Sequence, residues 1–224
     1  MIDQFLWVIF PYLCMAVFVV GHIWRYRIDQ FGWTAKSSEF IEKKQLMIGS
    51  ILFHFSVIPV FFGHLVGLLI PARWLEAIGV TEHLYHIGAV YVGGFFGVVM
   101  LLGMIILTFR RITKTSVRRL SSASDITVNF LLLFITFIGV YATLVTNAMV
   151  TDFDYRASIS VWLRGLLIFS PDANLMTDVP LTFKIHVLTG FLIFALWPAT
   201  RLVHAWSLPF NYLGRSYVVY RRNR

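Results

Sequence analysis

Four of the seven histidines in this chain, His54, His64, His186 and His204, lie inside long apolar runs. An ionisable side chain at membrane depth demands a partner, because an unpaired polar group in hydrocarbon costs several kcal/mol. His54 and His64 are ten residues apart, a helical rise of ~15 Å that leaves them within ~80° of a common face. His186 and His204 are eighteen apart, ~27 Å and nearly in phase. If the two segments run antiparallel, His54 faces His204 in one half of the membrane and His64 faces His186 in the other. Two neutral imidazoles approaching from opposite sides, with no carboxylate or thiolate beside them, are the donor set of six-coordinate haem iron, which transfers electrons without activating a substrate. Zinc fits poorly, since four-coordinate sites take three or four ligands and neither pair has an obvious third. Separate hydrogen-bonded core histidines would account for any single one of the four, but poorly for a depth-matched set.

The unequal rises, ~15 Å and ~27 Å, cannot both be level on straight parallel helices. Pro59 lies between the histidines of one segment and Pro198 between those of the other, and each removes a backbone donor and kinks a helix. Gly63 and Gly67 flank His64, and Gly190 follows His186 by four residues, so bare backbone is available to admit a flat macrocycle or to pack helices closely. Arg201, one turn before His204, is a candidate partner for a haem propionate or a snorkelling anchor.

The elements that carry these residues follow from composition. The chain has 224 residues, 58% hydrophobic and only 13% charged, against roughly a quarter charged in a soluble domain. Five apolar segments are long enough to cross ~30 Å of hydrocarbon: α1 over about Phe5 to Trp24, α2 over Leu46 to Ile70, α3 over Ile87 to Phe109, α4 over Ile126 to Val145 and α5 over Leu181 to Trp206. The expected fold is all-α, a single polytopic membrane domain over residues 1–224 with a haem-binding bundle of five helices. Asp3 and the lack of Lys or Arg before α1 argue against a cleavable signal peptide.

The 19 Lys and Arg exceed the 11 Asp and Glu, an excess that topology explains without nucleic acid. Arg25, Arg27, Lys36, Lys43 and Lys44 follow α1; Arg110, Arg111, Lys114, Arg118 and Arg119 follow α3; Arg215, Arg221, Arg222 and Arg224 follow α5. By the positive-inside rule these regions are cytoplasmic, and the chain is N-out and C-in. The outer side then holds Arg73, His83 and His86 between α2 and α3, and a longer connection to α5. That connection carries Asp152, Asp154, Asp172 and Asp178 around the apolar run Ile159–Phe169, expected as an amphipathic or interfacial stretch of an extramembrane loop. Trp24, Trp33, Trp74, Trp206 and Tyr212 suit aromatic belts. The single cysteine, Cys14, lies in an apolar run; it excludes an internal disulfide and a Cys-ligated cluster and reads as a packing residue. No phosphate-binding loop or nucleophile motif is present.

With these residues in place, the chain resembles the gamma subunit of respiratory nitrate reductase, a membrane di-haem cytochrome b, over nearly its whole length. The resemblance lies in Phe53-His54, Phe62-Gly63-His64, Lys184 to Gly190 and Arg201 to Pro209, with Tyr26, Trp33 and the Ser37-Ser38 pair near the start. It implies a multi-pass subunit of a bacterial or archaeal cytoplasmic membrane with two b-type, bis-His haems, an outer one on His64 and His186 and an inner one on His54 and His204. It also implies quinol oxidation near the outer face and electron transfer to cytoplasmic partners, an iron–sulfur (beta) and a molybdenum catalytic (alpha) subunit, where nitrate is reduced. Such a charge separation contributes to proton-motive force. Gly63, His86, His83 and Arg73 are the candidate quinol-binding residues; the outer end of α3 lacks the lysine that members of the family can carry there.

Three other readings remain: a di-haem anchor of another reductase, for example in sulfur metabolism; a proton channel with a histidine relay; and a structural anchor without cofactor. The relay is opposed by the lack of an intramembrane carboxylate in α2, α4 and α5 as drawn above. The anchor leaves four imidazoles in lipid without a reason.

Overall fold

The computed structural model of the chain describes residues 1–33, 38–149 and 153–207. Lys36, Ser37, Asp152, Leu208, Pro209, Tyr212 and the four C-terminal arginines lie outside the described residues. Those described form helices and connections, with no strand among them. Five helical spans are long and apolar enough to cross a membrane: α1 (Ile2–Gly32), α2 (Lys44–Leu69), α3 (Glu82–Thr113), α4 (Ala123–Thr146) and α5 (Leu181–Ala199). Large apolar side chains such as Val20, Ile51, Phe55, Phe62, Phe95 and Phe137 are exposed, as a lipid-facing surface requires.

Local capping moves several boundaries. Thr81 accepts a hydrogen bond from the Leu84 amide, so α3 begins at Glu82 rather than Ile87 and carries His83 and His86 in its first turns. Ser122 and Asp125 form a reciprocal capping box, so α4 begins at Ala123 and draws Asp125 into the helix. α2 stays helical through Pro59.

The larger departure is in α5, expected as one helix to Trp206. Its α-helical part ends at Leu196; a 3-10 turn spans Trp197–Ala199, Thr200 is extended, and a second 3-10 segment runs Arg201–Trp206. Pro198 cannot donate to the ladder. The Arg25 guanidinium donates to the freed carbonyls of Pro198 at 2.6 Å and Thr200 at 2.8 Å. The Thr200 hydroxyl accepts from the Leu202 amide to start the next segment.

Close approaches set the order of the bundle. A methyl on Gly103 of α3 would lie 2.7 Å from the Phe53 amide nitrogen of α2, and one on Gly21 of α1 would lie 2.7 Å from Pro198 Cγ. α3 packs between α2 and α4, and α5 between α4 and α1, while α2 and α5 make no extended backbone packing with each other. The apolar stretch in the connection to α5 docks one face on the bundle. Helix Ile159–Leu167 buries Ile159, Trp162 and Leu166 with Trp7, Cys14, Met176 and Phe191 in the main apolar core. Ser160 and Arg164 donate to the Gly67 and Leu68 carbonyls, closing the C-terminal end of α2.

Candidate functional site

The four membrane histidines form two facing pairs. The ring centroids of His54 and His204 are 6.3 Å apart and those of His64 and His186 are 6.0 Å apart, the latter pair nearly parallel at 21°. The break in α5 makes the first pair possible. His186 to Leu196 is ten residues of α-helix, the same length as His54 to His64, and the remaining residues to His204 turn instead of continuing the α-helical rise.

Backbone carbonyls select one tautomer on three of the rings. Nδ1 donates to the Ser50 carbonyl at 2.8 Å in His54, to Val60 at 2.7 Å in His64 and to Arg201 at 2.6 Å in His204. A carbonyl oxygen only accepts, so the proton sits on Nδ1 and the lone pair is left on Nε2. His186 is held differently, packed on bare backbone of α4, where a methyl on Gly139 would lie 2.8 Å from its Cε1. A metal ion bound by two imidazole nitrogens at ~2 Å each puts the ring centroids about 6 Å apart. Both separations fit that spacing, and α2 and α5 are not packed backbone to backbone against each other. No cluster of three His, Cys, Asp or Glu side chains suited to a metal occurs among the described residues, which disfavours a zinc-type site.

His22 shows what a satisfied core histidine looks like here. Its Nδ1 donates to the Phe18 carbonyl at 2.6 Å, but its Nε2 accepts from the Trp206 indole at 3.1 Å, leaving no lone pair for a metal. Arg201, a candidate for a haem propionate or a snorkelling anchor, binds Asp125 through Nε and Nη2. Asp125 lay one residue outside the α4 drawn from hydropathy, and the Ser122-x-x-Asp125 spacing was the signal that would have recovered it. Beside this pair, Arg111 donates to Asn129 at 3.0 Å and to Ser121 at 2.7 Å. The end of the bundle next to the His54–His204 pair is therefore a polar layer built on Asp125, Asn129 and Arg110, all buried, rather than a simple anchor of snorkelling arginines. Arg25 and Gly139 also escaped the sequence reading, since their roles exist only between elements distant in the chain.

At the end of the bundle next to the His64–His186 pair, Gly63, Arg73, His83 and His86 are all exposed, and a methyl at Gly63 would meet nothing within 4 Å. Among the described residues no hydrogen bond or ring contact joins Arg73, His83 or His86 to His64, so the structure does not gather these four into one polar cluster.

The family model for the nitrate reductase gamma subunit matches residues 3–223. The chain belongs to the nitrate reductase gamma subunit family. This gamma subunit is 49% identical over 222 residues to the nitrate reductase gamma chain of Bacillus subtilis, covering 99% of both chains. It is 34% identical over 224 residues to the respiratory nitrate reductase 2 gamma chain of Escherichia coli, covering 98% of that chain. It also matches the nitrate reductase-like protein NarX of Mycobacterium tuberculosis at 40% identity, spanning 34% of that longer polypeptide. With five spans able to cross a membrane, it is the membrane-anchored electron-transfer component of a nitrate reductase.

Proposed function

We propose that this gamma subunit is a di-haem cytochrome b that oxidises quinol near the outer face and passes electrons to cytoplasmic iron–sulfur and molybdenum subunits. The observation that carries this reading is the pair of facing imidazole couples at 6.0 and 6.3 Å. His64 and His186 would hold the outer haem and His54 and His204 the inner one; in His54, His64 and His204 the Nδ1 bond to a backbone carbonyl leaves Nε2 as the donor. Haem iron held by two such imidazoles would supply one-electron transfer without substrate activation. The chain's own part is to hold the four imidazoles in two facing pairs, three of them with Nδ1 fixed on a backbone carbonyl.

A quinol releases two protons with its two electrons, so an outer oxidation site and an inner electron exit separate charge across the bilayer. The open backbone at Gly63, beside His64, offers an apolar approach for a quinol ring. The exposed imidazoles of His83 and His86 would take the released protons near outer water, and the Arg73 guanidinium would donate a hydrogen bond to a quinol oxygen. The basic segments following α1 and α3 would face the cytoplasmic subunits, in an N-out, C-in bacterial or archaeal cytoplasmic membrane.

The test is a redox titration of the visible spectrum in membranes holding the assembled complex, with quinol and then nitrate added. Two b-type components reduced by quinol and reoxidised by nitrate are expected. Replacing His64 or His186 should abolish the outer component and quinol-driven nitrate reduction while an artificial dye feeding the cytoplasmic subunits still works. Equal loss of dye-driven activity with all subunits present would falsify this division of labour.

A further inference from the structure

Arg156, in the connection between α4 and α5, is buried with a side chain 3% exposed. Its Nη1 donates to Glu82 at 2.7 Å, and its guanidinium carbon stands 4.1 Å from the centroid of the Tyr85 ring. Nε and Nη2 are buried and have no hydrogen-bond partner. Desolvated donors on a cation without an acceptor are costly, so the arrangement calls for an anionic oxygen ligand. The Nε/Nη2 edge is the flat fork that takes both oxygens of one carboxylate. Arg201 of this chain shows that use, with Nε on one oxygen of Asp125 and Nη2 on the other.

The fork belongs to a cluster one helical turn outward of the His64–His186 pair on both helices. Tyr155 donates its hydroxyl to Tyr85 at 2.8 Å, and the Tyr85 hydroxyl occupies the space a side chain at Gly67 would fill, three residues after His64. Phe183, three residues before His186, stacks on Tyr155 with ring centroids 6.4 Å apart. The Ser160 hydroxyl pins the Gly67 carbonyl at 2.9 Å. A planar group between the two imidazoles thus has the Arg156 cluster beyond its outer edge.

We infer that Arg156 is the outer carboxylate anchor, its Nε and Nη2 binding a propionate of the haem held by His64 and His186. This rests on the ligand reading above. Glu82 fixes Nη1 and Tyr85 supports the guanidinium face, so the fork has one orientation. A quinol hydroxyl is neutral and would have to share its one oxygen between the two donors; a carboxylate gives each donor its own oxygen and also balances the buried charge.

The experiment uses the assembled complex carrying Arg156→Gln or Arg156→Lys. Two readouts are taken: the midpoint potential of each haem component, and the carboxylate bands of the redox-difference infrared spectrum. The outer component is identified as the one lost when His64 is replaced. Arg156→Gln should lower the potential of the outer component alone, because a cation near the haem favours its reduced form, and should shift a carboxylate band. Arg156→Lys should recover part of the potential while still shifting the band. Unchanged potential and bands in Arg156→Gln with both haems retained overturn the proposal. So does a raised KM for quinol with both readouts unchanged, which would give the fork to a quinol oxygen. If Arg156→Gln loses the outer haem, the band in Arg156→Lys decides, and an unshifted band again overturns it. A wild-type complex without two bis-imidazole haems removes the underlying reading, a result distinct from any in the variants.

Discussion

At the residue scale the decisive feature is which ring nitrogen is left free. His22 and His64 share the same back-bond to the carbonyl four residues earlier, at 2.6 and 2.7 Å, yet only His22 has its second nitrogen occupied, by Trp206. Replacing His22 with Gln is accordingly expected to leave both haem components in the visible spectrum. Gly139 supplies a sharper test. A methyl there would lie 2.8 Å from His186 Cε1, whereas one on Gly190 would meet Ile135 Cδ1 at an ordinary 3.7 Å. Overpacking of this kind costs about 1–3 kcal/mol. Gly139→Ala should therefore lose most of the outer component while Gly190→Ala retains it, checked by haem content per chain.

At the element scale, the break in α5 is held by a residue 173 positions away in sequence: Arg25 caps the carbonyls of Pro198 and Thr200. Arg25→Leu leaves both unpaired, at roughly 1–3 kcal/mol for each buried group. The expected result is weakened retention of the inner component with the outer one intact, read by haem loss on mild heating.

A second element depends on pH. Buried Arg110 binds Glu42 through Nε at 2.7 Å and the Ser38 and Glu42 carbonyls through Nη2, which fastens the segment ahead of α2 onto the end of α3. The Gln45 amide, with Arg110 and the Leu46 amide, holds the Glu42 carboxyl below the usual carboxylate range against an opposing effect of burial. A depressed value in the folded chain means the contact contributes fully above the unfolded value of about 4.3 and is lost as pH falls through the folded one. Hydrogen exchange at the Ile41 and Glu42 amides, both bonded to the Ser38 carbonyl, should accelerate below about pH 4 in the wild type beyond the intrinsic rate change. In Glu42→Gln that additional acceleration should be absent.

At the scale of the whole molecule, charge asymmetry predicts orientation. Cys14, the chain's one cysteine, is buried, so an introduced cysteine is a clean reporter. Glu76 lies between α2 and α3, and Thr115 between α3 and α4; both are exposed. In sealed cells an impermeant thiol reagent should label Glu76→Cys and spare Thr115→Cys until the membrane is opened. The reverse pattern would invert the N-out, C-in orientation and move the quinol site to the other face. The basic residues also have structural work beyond topology: Arg110, Arg156 and Arg164 each tie together segments distant in sequence.

The number of spans and the histidines' depth were legible in the sequence because both follow from local quantities, apolar run length and the fixed helical rise. The antiparallel order of α2 and α5 then specified which histidine meets which, and the mismatch of ~15 Å against ~27 Å already required a bend. Where the bend falls, and what stabilises it, was decided only by tertiary structure. Pro198 marks a weak point in the backbone ladder, but Arg25 from α1 and the Asp125–Arg201 pair from α4 determine how the chain leaves it. The same holds for Gly139 beneath His186, for Arg156 above Tyr85 and for the burial of Ile159–Leu167. Each is a contact between residues whose separation along the chain carries no periodic signal, so only the folded packing brings its chemistry together.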